Sequence, residues 1–281
     1  MKRLRHYTQS TAIVLSCFGS VVEQGRYESL KQKIAARYTG CEVRMALSSR
    51  MVIKKLKQAG EHYAHLPAVL ADLDLEGYQR ILVVSCYLFP TDEHKQVAKV
   101  VDGFRHFSLA HIDYTPAIIH HTHRANDLLS ALNEKFVDSA DINLYVHHGA
   151  PYLDNAGHQA ISYVDSLLGK LSDKNISCSL EGALPFSLVK HAIEQRISAF
   201  SEERKPSLNV IPMLLVSGNH FVNDMADIKQ ALSEVCDVQV AHDDEGESFN
   251  LISTQAVTDI VMLQIEQGLT RLNAPELQAI G

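Results

Sequence analysis

The chain has 281 residues, of which 46% are hydrophobic and 21% charged. At roughly 100–200 residues per domain, this allows two domains with full cores and excludes a disordered or coiled-coil chain. No apolar run approaches the ~20 residues needed to cross a bilayer, and a formal net charge of −7 argues against broad nucleic-acid binding.

The chain opens with a basic stretch and a short apolar run. Polar residues interrupt it, and Ala12–Leu15 is too short for the core of a signal peptide, so it reads as a disordered tip leading into a first strand. Thr11–Cys17 is a buried strand and Tyr27–Arg37 a helix. Glu42–Leu47 is a second strand, Arg50–Gln58 a basic amphipathic helix and Pro67–Leu75 another helix. Arg80–Leu88 is nearly continuous and apolar, as expected of a parallel strand covered on both faces. Asp92–Phe104 is helical, a fourth strand lies within Phe107–Asp113, and Arg124–Val137 is a helix.

The pattern then restarts. Strands are expected at Ile142–His147, Ser177–Leu180, Leu208–Val216 and Val238–Ala241. Helices are expected at His158–Leu171, Ser187–Phe200, Asp224–Val235 and Thr254–Arg271. Strands alternating with helices of this length imply βαβ units and parallel sheets. The halves also resemble each other. Ile13–Ser20 pairs with Asn143–Ala150, Cys41–Gln58 with Ser177–Gln195, and Arg80–His94 with Asn209–Asn223. The reading is an α/β chain of two similar lobes, each a roughly four-stranded parallel sheet flanked by helices. The first lobe covers 1–138 and the second 139–253, with a cleft between the carboxyl ends of their strands, where ligands bind in open α/β sheets.

Five scattered cysteines form no C-x-x-C pair, which argues against a zinc site or disulfide framework and for a cytoplasmic protein. Cys17 and Cys86 sit in apolar runs and read as small buried hydrophobes. Fifteen histidines, with no tryptophan, are spread through the chain. Three strand ends carry reactive side chains. Val146-His147-His148-Gly149-Ala150 places imidazole at a strand end beside a glycine turn. Leu215-Val216-Ser217-Gly218-Asn219-His220 does the same, with Asp224 close to the first turn of the next helix. Ser179-Leu180-Glu181-Gly182 puts a carboxylate on the strand between them. Glu93 is a rival carboxylate. Each residue also has an ordinary structural explanation, as a bonded strand-end histidine, a solvated loop acid or a helix N-terminal acid. Together they gather two imidazoles and a carboxylate, which suit a divalent first-row metal and proton removal near neutrality. His120-His121-Thr122-His123 reads as decoration of a loop and helix start, and Asp243–Glu247 as a solvated acidic loop. G-x-G-x-x-G, Walker A and G-x-S-x-G patterns are absent.

From about Ile13 to Leu269 the chain resembles the class II tetrapyrrole chelatases, and within them the anaerobic cobalt chelatases of the sirohydrochlorin cobaltochelatase (CbiK) type. The resemblance rests on Leu47–Leu56, Glu76-Gly77-Tyr78, His148-Gly149-Ala150, Leu180-Glu181-Gly182 and, most specifically, Pro212–Met225. The family's metal-handling histidines fall on His148 and His220, and its active-site glutamate on Glu181. The chain departs from the family at Tyr87, where a histidine is common, and in lacking a Ser-Trp-Lys stretch after Asn223-Asp224-Met225.

The resemblance implies insertion of a divalent ion, Co2+ first, into sirohydrochlorin in cobalamin biosynthesis. His148, Glu181 and His220 would act as both metal ligands and catalytic groups. Phe18, Gly19, Ser20, Tyr87, Pro90, Thr91, Gly149 and Ala150 would line the macrocycle, and Arg50, Lys54 and Lys55 are candidate cations for its carboxylates. No cofactor beyond the metal substrate is implied, and no membrane or nucleic-acid partner. The final helix would pack back on the first lobe, and a homo-oligomer stays open. Two other readings stand beside this one. Iron could be inserted for siroheme, or the same fold could bind haem, a tetrapyrrole or a metal without catalysis, using a histidine or Tyr87 as axial ligand.

Overall fold

The computed structural model describes residues 5–200 and 204–273, and the side chains of 219–222 lie outside that description. The expected disordered tip before Thr11 covers positions 1–10; 1–4 lie outside the described residues, and the rest is ordered, with Tyr7 donating its hydroxyl to Asp74 at 2.7 Å and the first strand starting at Gln9. The first lobe contains β1 (Gln9–Cys17), α1 (Gln24–Arg37), β2 (Cys41–Leu47), α2 (Arg50–Gln58), α3 (Leu66–Glu76), β3 (Tyr78–Ser85), α4 (Asp92–Arg105), β4 (His111–Tyr114) and α5 (Thr122–Phe136). The second contains β5 (Ile142–His147), α6 (Ala156–Leu171), β6 (Asn175–Ser179), α7 (Phe186–Ser198), β7 (Ser207–Pro212), α8 (Asn219–Leu232) and β8 (Asp237–Val240). A 3-10 turn (Leu251–Ser253) precedes α9 (Gln255–Asn273).

The two sheets repeat one topology, β2-β1-β3-β4 and β6-β5-β7-β8, and every pairing is parallel. The apolar runs Ala12–Leu15 and Ile81–Val84 are fully buried because helices cover both faces of the sheet. Side chains alternate between faces. Ala12 and Val14 join a core beneath α3 and α4, while Ile13 and Leu15 join a core that also includes Tyr145 and Ile211 of the second sheet. A third core holds the far face of the second sheet against α7 and α8. The duplicated α/β architecture agrees with the sequence reading.

α9 follows the second lobe in sequence but lies on the first sheet. Arg271 donates to Asp113 at 2.8 Å, and Gln264 donates to the Ala117 carbonyl at 3.1 Å. Gly268 meets Leu82 so closely that an added Cβ would fall 2.6 Å from a Leu82 methyl.

Among the boundaries that differ from expectation, three bear on the site. β3 ends at Ser85, because Tyr87 and Leu88 accept from Ile118 and Ile119 of the crossover segment and no longer from a strand. β7 ends at Pro212, whose nitrogen carries no proton to donate. α8 begins at Asn219, five residues earlier than expected, with extended Gly218 as its N-cap. His220 therefore lies in the first turn of a helix and Asp224 in the second. All five cysteines are free. Among the described residues, no helix is long and apolar enough to cross a membrane.

Candidate functional site

The carboxyl ends of the two sheets meet. Ser20, in the β1–α1 loop, donates its hydroxyl to the Ser217 carbonyl in the β7–α8 loop at 2.8 Å. Thr91, ahead of α4, packs on the first turn of α6, where a Cβ on Gly157 would fall 2.6 Å from the Thr91 methyl. The Phe89 ring meets the His147 ring edge-on at 6.2 Å between centroids.

Within the second lobe, pairing between β5 and β6 runs past the strand ends. Leu180 N–H donates to the His147 carbonyl at 3.0 Å and Glu181 N–H to the His148 carbonyl at 2.9 Å. His148 and Glu181 thus stand side by side at the end of the sheet, and both are exposed. Their loops then cross. Gly149 (φ 95) lies against the Glu181 carbonyl and Gly182 (φ 79) against the Ala150 carbonyl, and a Cβ on either glycine would overlap those atoms. Only glycine satisfies both the left-handed backbone and the close approach. The Glu181 loop closes on itself, with Ser179 Oγ donating to the Ala183 carbonyl at 2.7 Å and Ser179 N–H to the Leu184 carbonyl at 3.0 Å. This turn holds exposed Leu184 at φ 55, the one non-glycine with positive φ among the described residues.

The first lobe builds the same scaffold with other side chains. Ser48 N–H donates to Cys17 and Ser49 N–H to Phe18, at 2.9 and 3.2 Å, repeating the bonds of Leu180 and Glu181. Gly19 (φ 93) repeats Gly149. Phe18 is therefore the counterpart of His148, Ser49 of Glu181 and Glu93 of His220. The sequence pairing of Cys41–Gln58 with Ser177–Gln195 matches the helices but misses the strands by four positions. Six residues join β6 to α7 where two join β2 to α2. The pairing of Arg80–His94 with Asn209–Asn223 is off by two, because Cys86 and Met213 make equivalent bonds to Ser16 and Val146.

The other sequence-nominated residues separate by exposure. Phe18 is 50% exposed, whereas Ser20 is 1% and Ala150 4%. Tyr87 is 7% exposed and packs among the side chains beneath α3 and α4, its hydroxyl buried without a hydrogen-bond partner. Burial raises its phenol well above the ordinary range. Tyr87 thus presents no open phenol to a ligand. Pro90 and Thr91 are half-buried, and Thr91 donates to the Glu93 carboxylate at 2.9 Å. Arg50, Lys54 and Lys55 are exposed on α2. His120 and His121 are exposed, and His123 pairs with Asp127 at 2.8 Å on the same helix.

The family model for Cobalt chelatase (CbiK) matches residues 11–251. The chain belongs to that family. Its match to the sirohydrochlorin cobaltochelatase of Salmonella typhimurium is 21% identical over 199 residues, 70% of this chain and 71% of that protein. Two solved structures share the fold of this chelatase family member. SirB from Bacillus subtilis with Fe3+ is 13% identical at a TM-score of 0.64, covering 92% of this chain and 95% of that one. The sirohydrochlorin chelatase SirB from Bacillus subtilis subspecies spizizenii, in complex with cobalt, is 11% identical at a TM-score of 0.62, covering 93% and 96%.

In this cobalt chelatase family member, no group of three His, Cys, Asp or Glu side chains among the described residues is arranged to hold a metal. The His220 side chain falls outside that set. Sequence reasoning passed over His94, whose Nδ1 lies 2.7 Å from Ser85 Oγ and whose imidazole is pushed down by burial, with a further contribution from His120. It also passed over His147, 1% exposed, with Nε2 3.3 Å from Asp165. The continuous burial of a strand covered on both faces could have marked His147 as buried. Nothing in the sequence marked Asn250, whose amide oxygen accepts from both the N–H and the hydroxyl of Ser217.

Proposed function

We propose that the protein is a chelatase that inserts Co2+ into sirohydrochlorin for cobalamin biosynthesis, using His148, Glu181 and His220. The observation that carries this reading is the Glu181–His148 backbone bond. It sets an imidazole and a carboxylate side by side on one sheet end, where the two lobes meet. Exposed apolar side chains gather at the same sheet ends: Phe18 and Val22 after β1, Met51 in the first turn of α2, Tyr152 and Leu153 after β5, and Leu184 after β6. A flat macrocycle needs such apolar walls, and polar residues alone would not supply them.

In this reading His148 and His220 hold the incoming ion through neutral imidazole nitrogens, with Glu181 as third ligand. Three donors leave the ion free to depart, whereas a closed four-ligand site would retain it. As the metal passes to the macrocycle nitrogens, two pyrrole protons must leave. Glu181 or an imidazole accepts them. Phe18 and Gly149 face the ring together with Pro90 and Thr91, while buried Gly19, Ser20, Tyr87 and Ala150 support those loops from beneath. Arg50, Lys54 and Lys55 meet the carboxylates of the macrocycle. The lobes comprise 1–138 and 139–253, with 254–271 on the first. Five free cysteines fit a cytoplasmic location.

Iron insertion for siroheme is the alternative, since imidazole and carboxylate accept Fe2+ as well as Co2+ and the SirB structures hold Fe3+ and cobalt. The test is sirohydrochlorin mixed with Co2+ or Fe2+ and followed by absorbance. Faster insertion of cobalt supports the reading. Faster insertion of iron replaces the metal, and insertion of neither removes the function.

A further inference from the structure

The duplicated scaffold exposes one feature that the second lobe has and the first lacks. Ser217, three residues before His220, is 1% exposed and pinned from two sides. Asn250, fully buried, accepts from Ser217 N–H at 2.7 Å and Ser217 Oγ at 3.0 Å, and is itself fixed by donating to the Ser248 carbonyl at 2.9 Å. From the other lobe, Ser20 donates to the Ser217 carbonyl at 2.8 Å while accepting from the N–H groups of Val22 and Glu23 at 3.3 and 3.0 Å. Glu23 also reaches Ser217 N–H at 3.3 Å.

The backbone bonds identify the first-lobe counterparts. Leu251 and Ile252 donate to Leu214 and Leu215 as Ile118 and Ile119 donate to Tyr87 and Leu88, so Asn250 corresponds to Ala117 and Ser217 to Pro90. Ser20 corresponds to Ala150, two residues beyond His148. Pro90 has no N–H to anchor, and neither Ala117 nor Ala150 has a side chain that could anchor it. The fold is thus built once without this clamp, and among the described residues the clamp occurs only at the root of the helix that carries His220.

We infer that Ser20, Ser217 and Asn250 are positioning residues. They fix the chain entering α8, and so the place from which His220 meets the metal, and they tie that place to the loop bearing Phe18. This rests on the chelatase reading of His220. A clamp satisfied on all sides holds a ligand residue without touching the ion, as outer partners do in metal sites generally.

The test compares wild type with Asn250→Ala, Ser20→Ala and Ser20→Thr. Asn250→Ala installs the residue that the first lobe uses at the same place, and leaves the Ser217 N–H, which Pro90 lacks, with Glu23 as its acceptor. Co2+ affinity is measured by competition with a chromophoric chelator, with thermal unfolding and insertion kinetics alongside. Loss of one such outer partner typically costs about 10–100-fold in metal affinity. The clamp predicts a loss of that size and a lower kcat in Asn250→Ala and Ser20→Ala, with the KM for sirohydrochlorin unchanged in Asn250→Ala. Ser20→Thr keeps the hydroxyl and should restore Co2+ affinity. If Asn250→Ala unfolds, the Ser20→Ala and Ser20→Thr pair decides. Active wild type with folded variants that match its Co2+ affinity overturns the clamp and leaves the chelatase reading intact. A wild type that neither binds nor inserts Co2+ overturns both.

Discussion

The backbone of Gly149 lies against the carbonyl of Glu181, so that any side chain at position 149 would occupy the same space as that oxygen. The loop bearing the proposed metal imidazole and the loop bearing the proposed carboxylate therefore interlock through backbone. Gly149→Ala should break the interlock twice. A non-glycine residue in the left-handed region costs ~1–2 kcal/mol, and the overlap pushes Glu181 away from His148. The expected outcome is a lower melting temperature together with insertion activity reduced well beyond what the lost stability explains. Unchanged activity in Gly149→Ala would show that the Glu181 spacing does not matter.

His148 and Glu181 are both exposed, so removing either side chain should leave the fold almost untouched, within ~0.5 kcal/mol. Glu181→Gln keeps size and hydrogen bonding but removes the charge and the proton acceptor. Insertion should fall about 100-fold, in the range of a lost general base. Denaturant titration beside initial rates separates the two effects.

Tyr87 tests the opposite case. Its hydroxyl is buried without a hydrogen-bond partner, so Tyr87→Phe should be neutral or slightly stabilising, within ~1 kcal/mol. Insertion rates with cobalt and with iron should keep their ratio. A shifted ratio would give Tyr87 a part in metal choice despite its burial.

The sequence already showed the alternation of strands and helices, the duplication, and the strand-end positions of His148 and Glu181, because apolar runs covered on both faces and glycine turns leave local marks. The offset of four positions between the halves was hidden. The extra residues lie in the Glu181 loop, and matching helix patterns across it gave a wrong strand register. The early start of α8 was hidden as well, since Gly218 caps through backbone shape and carries no side-chain signal. The resemblance puts Tyr87 in the macrocycle wall, at a position where the family commonly has a histidine. The direction of Tyr87 depends on which bonds replace the strand beyond Ser85. The Ser20–Ser217–Asn250 clamp joins residues far apart in the chain, with no local spacing to betray it.

Acid stability offers a test at the start of the second lobe. A hydrogen bond from the Arg204 guanidinium, joined by the Ser207 N–H and hydroxyl, holds the Asp141 carboxyl well below the usual carboxylate range. A depressed folded-state pKa stabilises fully above the unfolded value of about 3.9 and less as pH falls below it. Asp141→Asn should therefore lower the melting temperature at neutral pH, and the gap to wild type should narrow as pH falls from about 5 toward 2. A gap that stays constant with pH would assign the effect to lost shape rather than charge.

The most direct test of the central claim is Co2+ insertion into sirohydrochlorin, followed by absorbance, for wild type, His148→Ala, His220→Ala and the double variant. Wild type should insert the metal. Each single variant should lose most of the activity while staying folded, and the double variant should lose little more, because groups that act as a unit fail as a unit. Insertion by the double variant at the wild-type rate would contradict the assignment of metal handling to these two histidines.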